Sequence, residues 1–428
     1  MARVVRIFKT LRNHWKKSTV GFCLLGYGGN WMYGKYCDNL LMRAACQEAQ
    51  TYGNKPMHPS MAVKKATVFL NPAACKGKAR ALFEKNAAPI LHLSGIDVTV
   101  VNTDYEGQAK KLLELMEDMD LIIVAGGDGT LQEVITGLLR REDQASFCKI
   151  PIGFIPLGLT NTLGHTLHPQ TDNKVQRISE ATLSILKGET IPLDVLQIKG
   201  EKEQPVFAVN GLRWGSYSDT SAKASKYWYL GPLKARAAHV FSILKEWPQQ
   251  HKSSIFYLGP TERPPEESEQ KPARPPLYAR IYRRLALYWS PPKVEVQDEP
   301  VPEPWEEMQI SAVELSFATQ NHEPDIKRTM DSMKICIEPD TVGRGEFIRL
   351  GTQKTTDPTL HSADSQILHA SRCYLQLPQG TGGHFSIDSE EYEAMSVEVT
   401  LLPRKLRFLC HPDKKAQLMQ SSTGAVQS

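Results

Sequence analysis

From about residue 64, apolar runs alternate with stretches of helical spacing. Residues 66–70 (ATVFL) read as a buried strand, followed by a helical pattern over 79–91. A second strand is predicted at 97–101, after which Leu112, Leu113 and Met116 fall at helical spacing within 108–117. The third strand, 121–125 (LIIVA), is apolar throughout, as a parallel strand covered on both faces requires. Leu131, Val134, Ile135, Leu138 and Leu139 then share one helical face, and 152–155 predicts a fourth strand. This alternation predicts an α/β domain over 61–200 with a doubly wound parallel sheet. Beyond residue 200 the apolar runs at 313–318, 333–337, 347–350, 374–377 and 397–402 read as strands with few helices between them. They predict a second, β-rich, sandwich-like domain over 201–412, with a flexible tail at 413–428.

Two segments lie outside this scheme. Residues 1–60 begin with Arg3, Arg6, Lys9, Arg12, Lys16, Lys17 and Lys35, and the first acid is Asp38. Such a start suits mitochondrial targeting or an anionic membrane surface. Within it, 18–34 is uncharged and carries Phe22, Leu24, Leu25, Tyr27, Trp31, Met32 and Tyr33. Its length is at the short limit for a bilayer span, about 17–25 residues, and its glycines weaken an isolated helix. A full span, a shallow interfacial anchor and a helix buried in a soluble domain all fit, and charge with aromatics favours membrane attachment. The second segment, 248–306, is crowded with prolines and reads as an insertion. Inside it Leu277, Ile281, Leu285 and Tyr288 sit at helical spacing beside Arg280, Arg283 and Arg284, which suits either anionic lipid or docking on its own domain.

A chain of 428 residues, 41% hydrophobic, can bury two cores. Its net charge of +4 gives no case for nucleic acid as a partner. Eight scattered cysteines without CxxC or HExxH exclude a disulfide scaffold, and Cys37 and Cys46 are the pair most able to bridge.

The strongest chemical signal is Gly126-Gly127-Asp128-Gly129-Thr130, between a buried strand and a helix. Glycines let a backbone approach phosphate closely, and the helix start offers free N–H groups and the positive end of its dipole. Thr130 and Glu133 form a T-x-x-E capping box that predicts where this helix begins. Asp128 would repel phosphate unless Mg²⁺ lay nearby, so the loop implies a metal–nucleotide. No Walker A or dinucleotide fingerprint occurs. Polar loops also follow the first strand (Asn71 to Lys78, NPAACKGK) and the fourth (Pro156 to Leu163, PLGLTNTL). Three such loops at the carboxyl ends of parallel strands converge on one crevice.

These three motifs resemble the catalytic domain shared by diacylglycerol kinases and sphingosine kinases. The similarity extends over most of the chain, through FKTLRNHWKK, DYEGQAKKLLELME, LRWGSYSD and IDSEEYEAM, to a mitochondrial branch of that family acting on acylglycerols. The resemblance implies a two-domain kinase with ATP in the cleft and Mg²⁺ as cofactor. On this resemblance, the expected reaction is transfer of the γ-phosphate to monoacylglycerol and diacylglycerol. By the same resemblance Asn71, Lys76, Gly77, Thr103, residues 126–130, Gly158, Thr160, Asn161 and Lys234 contact ATP, and Asp219 meets the lipid head. Asp388 and Glu390 match an Asp-Gly-Glu motif with base and metal roles. The chain departs from the family pattern at Ser389, which replaces the middle glycine, and at Leu159. The family also implies the mitochondrial inner membrane, with the domains facing the intermembrane space, and the carrier-import translocase as a partner.

Phosphoryl transfer asks for positioning and charge neutralisation. Asp128 and Glu390 would hold Mg²⁺, directly or through water, and Asp388, or else Asp128, would accept the hydroxyl proton. Without the resemblance, Asp388 and Glu390 read as a solvated acidic turn. Trp214, Tyr217, Tyr227, Trp228 and Tyr229 around Asp219 suit an acyl groove or simply a core. The rivals are an NAD kinase, which shares GGDGT but uses an Asn-Glu pair this chain lacks, and a membrane scaffold that retains a kinase fold.

Overall fold

The computed structural model describes residues 13–54, 63–116, 119–201, 204–245, 247, 250–263, 305–322, 324–325, 328–355, 357–378 and 383–424. Strands β1 (Lys65–Leu70), β2 (Asp97–Asn102), β3 (Leu121–Gly126) and β4 (Ile152–Pro156) pair in parallel in the order β4-β3-β1-β2. Alternate residues serve opposite layers. Phe69, Ile122, Val124 and Phe154 pack on helices Gln108–Leu115 and Asp128–Leu139. Val68, Leu70, Ile123 and Ile155 pack on Ala79–Asn86, Ala88–Leu93 and Lys174–Lys187. The sheet is therefore doubly wound, as its apolar strands require. The helical pattern at 79–91 is two helices, broken at Ala87, with a proline in the first turn of the second. A proline there forfeits no intrahelical hydrogen bond.

The remaining strands are β5 (Thr190–Gly200), β6 (Val206–Ala208), β7 (Gly211–Gly215), β8 (His251–Leu258), β9 (Thr261–Glu262), β10 (Glu306–Ala318), β11 (Met330–Asp331), β12 (Met333–Pro339), β13 (Gln366–Ala370), β14 (Arg372–Gln376), β15 (His384–Ile387), β16 (Glu390–Glu393) and β17 (Val397–Leu409). They enclose a second core that includes Leu212, Trp214, Ile255, Phe317, Ile335 and Val399. Both domains share one hydrogen-bonded sheet, joined at β17. This strand runs antiparallel to β14 at its start and to β5 along its length, and parallel to β4 at Phe408. Leu406 and Phe408 thereby enter the core of the first domain.

Several expectations change. Residues 347–350 belong to a helix, Arg344–Lys354, which buries Phe347, Leu350, Gly351 and Lys354. That spacing of three, four and seven is helical, and the short apolar run concealed it. Residues 251–258, assigned by proline content to the insertion, form β8 between β10 and β14. The basic aromatic stretch around 277–289 lies outside the described residues. The expected tail is helical over Pro412–Gly424.

The uncharged run at 18–34 belongs to a 39-residue helix, Trp15–Gly53. Ala45 and Ala49 near its end pack on Ile90 and Leu183, and Glu48 pairs with Lys187 at 3.2 Å. Phe22, Leu25, Tyr27, Trp31 and Tyr33 are exposed, so this half is not a core helix. Among the described residues no helix is long and apolar enough to cross a membrane. Cys37 and Cys46 are free thiols on this one helix. Nine residues of helical rise separate them by about 13 Å, well beyond disulfide reach.

A buried charge cluster fastens helix Arg344–Lys354 to the second sheet. Lys354 Nζ donates to Glu314 at 2.6 Å and to Glu338 at 2.9 Å, all three side chains being 1% exposed. Arg213 completes Glu314 at 2.8 Å, and His361 contacts Glu338 at 3.2 Å. Burial raises both carboxyl pKa values, but the cations outweigh it and leave Glu314 and Glu338 below their ordinary value. Lys354→Met removes the cation shared by two buried carboxylates, leaving each with one weaker-placed partner, and is expected to destabilise the fold by ~3 kcal/mol in urea unfolding at pH 7. Because the folded pKa values are depressed, the cluster's contribution is present above the ordinary glutamate pKa. It is lost as pH falls through the folded values, so the variant's deficit shrinks in acid.

Candidate active site

Three loops meet where the parallel strands end. Gly126 O accepts the N–H groups of Leu157 and Gly158, both at 2.9 Å, and Asp128 N–H donates to Thr160 O at 3.2 Å. The contact is so close that a Cβ on Gly158 would lie 2.3 Å from Gly127 Cα. Asn71 joins the first loop to the same helix, donating through Nδ2 to Thr130 Oγ1 at 3.1 Å. The helix starts at Asp128 with Gly127 as its cap, so Thr130 lies inside it and no capping box forms. Glu133 instead accepts the backbone N–H groups of Gly107 and Ala109, at the start of helix Gln108–Leu115.

Asp128 is 2% exposed. Its carboxylate accepts the N–H and the hydroxyl of Thr162, each at 3.0 Å. Burial pushes its pKa upward against these bonds. Asp388 approaches from the second domain, in the turn between β15 and β16. Its carboxylate accepts N–H groups from Val209 at 2.7 Å and from Asn210 and Gly211 at 2.9 Å. Burial raises Asp388 to about 7, the three backbone donors oppose the rise, and the Asp128 charge adds to it. Asp388 is thus a buried, oriented carboxylate rather than a solvated turn. Asp388 and Ser389 hold φ values of 46° and 75°, so the left-handed turn survives without glycine.

Glu390 reaches across to the phosphate-type loop. A Cβ on Gly129 would lie 1.9 Å from its Oε1. Its pKa is pushed up to about 8 by burial, then by a hydrogen bond with Glu106 and the charges of Glu106, Glu133 and Glu391. No group of three metal-ligating side chains forms among the described residues. Mg²⁺, however, generally takes one or two carboxylates plus waters and substrate phosphates. Asp128 and Glu390, each short of cationic partners, fit that demand.

Asp128 and Asp388 share a cavity of about 670 Å³ with Thr162, Arg213, Lys334 and His361. Its walls combine these charged and polar groups with apolar surface from Phe317, Ala318, Pro358 and Ile367, so it can take a polar head group together with the carbon atoms next to it. Sequence reasoning did not single out Thr162, Glu106, Arg213 or His361. Thr162, Glu106 and Arg213 lay inside quoted motifs, whereas His361 is brought in only by the fold.

The other expected residues scatter around this centre. Cys75, Lys76 and Gly77 form a left-handed run, with φ of 52°, 58° and 76°. Such strain clusters at functional loops. Thr103 is buried and its hydroxyl donates to Leu70 O at 3.4 Å. Asn161 closes its own loop through both amide atoms onto Gly158. The Thr160 hydroxyl lies 3.5 Å from that of Ser389. Lys234 opens helix Lys234–Lys245 with an exposed side chain and does not line the cavity. Asp219, half-buried on helix Ser216–Lys223 near Trp214, does not line it either. Trp214 and Tyr217 are core, Tyr217 stacking on Phe347 at 4.6 Å, whereas Trp228 and Tyr229 are exposed.

Comparison with known proteins matches residues 65–198 to the diacylglycerol kinase catalytic domain and 209–423 to the acylglycerol kinase C-terminal family. The chain is 78% identical over 428 residues to the mitochondrial acylglycerol kinase of Xenopus laevis, covering 100% of both. It is 66% identical over 417 residues to that of Homo sapiens, covering 97% of this chain and 99% of the relative. A diacylglycerol kinase from Bacillus anthracis str. Sterne shares the fold, with a TM-score of 0.51 and 18% identity over 83% of this chain and 99% of its own.

Two substitutions separate backbone strain from loop contact. Ser389→Gly relieves a left-handed residue and is expected to raise stability by up to ~1 kcal/mol. Gly158→Ala forces apart two backbones and is expected to cost ~1–3 kcal/mol. Thermal unfolding of both variants against the parent reads the opposite signs.

Proposed function

Because the chain belongs to the acylglycerol kinase family of lipid kinases, we propose that it transfers the γ-phosphate of ATP to a hydroxyl of monoacylglycerol or diacylglycerol in the mitochondrion. The products are lysophosphatidic and phosphatidic acid. The observation that carries this reading is the meeting of Asp128 and Asp388, one from each domain, across one cavity.

The loops at 71–78, 126–130 and 158–162 receive the nucleotide, with the N-terminus of helix Asp128–Leu139 turned towards its phosphates. Asp128 and Glu390 hold Mg²⁺, which supplies neutralisation of the phosphate charge. Asp388 accepts the proton of the acceptor hydroxyl. Its three backbone donors fix the carboxylate in place, and a pKa near 7 lets it be ionised at working pH yet still basic enough to act. The charged side of the cavity, at Asp128, Arg213 and Asp388, takes the glycerol end of the lipid. The exposed apolar half of helix Trp15–Gly53, with its basic start, lies in the membrane surface and keeps the enzyme beside its substrate. We place that surface on the inner membrane, facing the intermembrane space; the relatives' names support the mitochondrion.

Labelled ATP supplied with monoolein, diolein, sphingosine and NAD is expected to label the first two. Label confined to NADP would overturn the assignment in favour of an NAD kinase. Asp388→Asn is expected to lower kcat by ~10²–10⁴ with the fold intact by circular dichroism. In the parent, a base must be ionised, so kcat rises as pH climbs through about 7. A flat acid limb down to the ordinary aspartate range excludes Asp388 as the base.

A further inference from the structure

Helix Ser216–Lys223 leads into a 3₁₀ segment, Ala224–Leu233, and then helix Lys234–Lys245. The second helix is apolar on two sides. Ala235, Ala238 and His239 face inward and are buried. Ala237, Val240, Phe241 and Leu244 follow helical spacing on the other side, where Phe241 is 45% and Leu244 76% exposed. The 3₁₀ segment extends this stripe. Tyr227 stacks on Phe241 at 5.2 Å, and Trp228 and Tyr229 meet edge-on at 6.3 Å. Trp228 is 77% exposed and Tyr229 64%. The result is an aromatic and aliphatic patch open to solvent, linked through the Tyr227–Phe241 and Tyr227–Tyr229 ring contacts.

Charge identifies what covers it. Between Asp219 and Glu246 the chain carries Lys223, Lys226, Lys234, Arg236 and Lys245 and no acid. All five are exposed. Indole and phenol rings interleaved with basic side chains match the boundary between acyl chains and anionic head groups. Five cations with no acid among residues 220–245 are complementary to the anionic head groups of a leaflet, and the rings between them suit the depth of the interface. We propose that the surface built by residues 223–245 docks on a bilayer leaflet containing anionic lipid. It acts as a second attachment, separate from helix Trp15–Gly53. This rests on the lipid kinase reading above.

Initial rates are compared on diacylglycerol in phosphatidylcholine vesicles with and without phosphatidylserine, and on a short-chain diacylglycerol dispersed as monomers. The triple variant Trp228→Ser, Tyr229→Ser, Leu244→Ser is expected to lose about tenfold on vesicles and nothing on the dispersed substrate. Lys226→Glu with Lys245→Glu is expected to abolish the gain from phosphatidylserine alone. Amide exchange over 224–245 in the parent slows when anionic vesicles are added. Unchanged vesicle rates, equal losses on both substrates, or no slowing of exchange each overturn the proposal. A dimer in sedimentation that the triple variant dissolves overturns it too, assigning the patch to a second copy. A parent that phosphorylates neither lipid form, while its amides still slow, sinks the kinase reading and leaves the docking surface standing.

Discussion

Strand β17 bonds to β14, β5 and β4, and through it two domains of different architecture become one sheet. Everything at the site depends on that join. Asp128 stands at the end of a parallel strand and Asp388 at the end of an antiparallel hairpin, and only a fixed relation between the sheets brings both into one cavity. An ionised carboxylate costs several kcal/mol to bury unless donors await it. Here they await it on both sides, at Thr162 for Asp128 and at Val209 to Gly211 for Asp388.

The glycines of the phosphate-type loop therefore have two duties. Small residues at 126, 127 and 129 let a backbone approach an anion, but each is also required by a protein neighbour. Thr130 covers Gly126, Gly158 covers Gly127 and Glu390 covers Gly129. Glu390 in turn faces Glu106 and Glu133, so the site stores like-charge repulsion that a cation relieves.

What could be read from the sequence follows from where each signal originates. Strands β3 and β4 were legible because burial on both faces makes every position apolar, whereas the edge strand β2 is mostly exposed and was marked by its β-branched residues. The GGDGT loop was legible because strand, turn and helix are consecutive. Residues 347–350 were misread because four residues cannot distinguish a period of two from 3.6. Strand β8 was hidden by the prolines that follow it. The capping box failed because Glu133 found better donors on another helix. Arg213, Lys334 and His361 converge on the cavity from three separate elements, and no local pattern announces such a meeting.

Among the described residues, helix Trp15–Gly53 is gripped along its carboxyl half, from Asp38, which accepts a hydrogen bond from Asn173 at 3.0 Å, to Ala45 and Ala49, which lie against their neighbours. The stretch from Trp15 to Tyr36 is exposed almost throughout and has about 33 Å of helical rise. It behaves as a boom with a single clamp. Whatever holds its tip sets a standoff for the catalytic body, and the angle at the clamp sweeps the cavity mouth through an arc centred there. Reach and tilt are thus decided by a handful of small side chains far from any reacting atom.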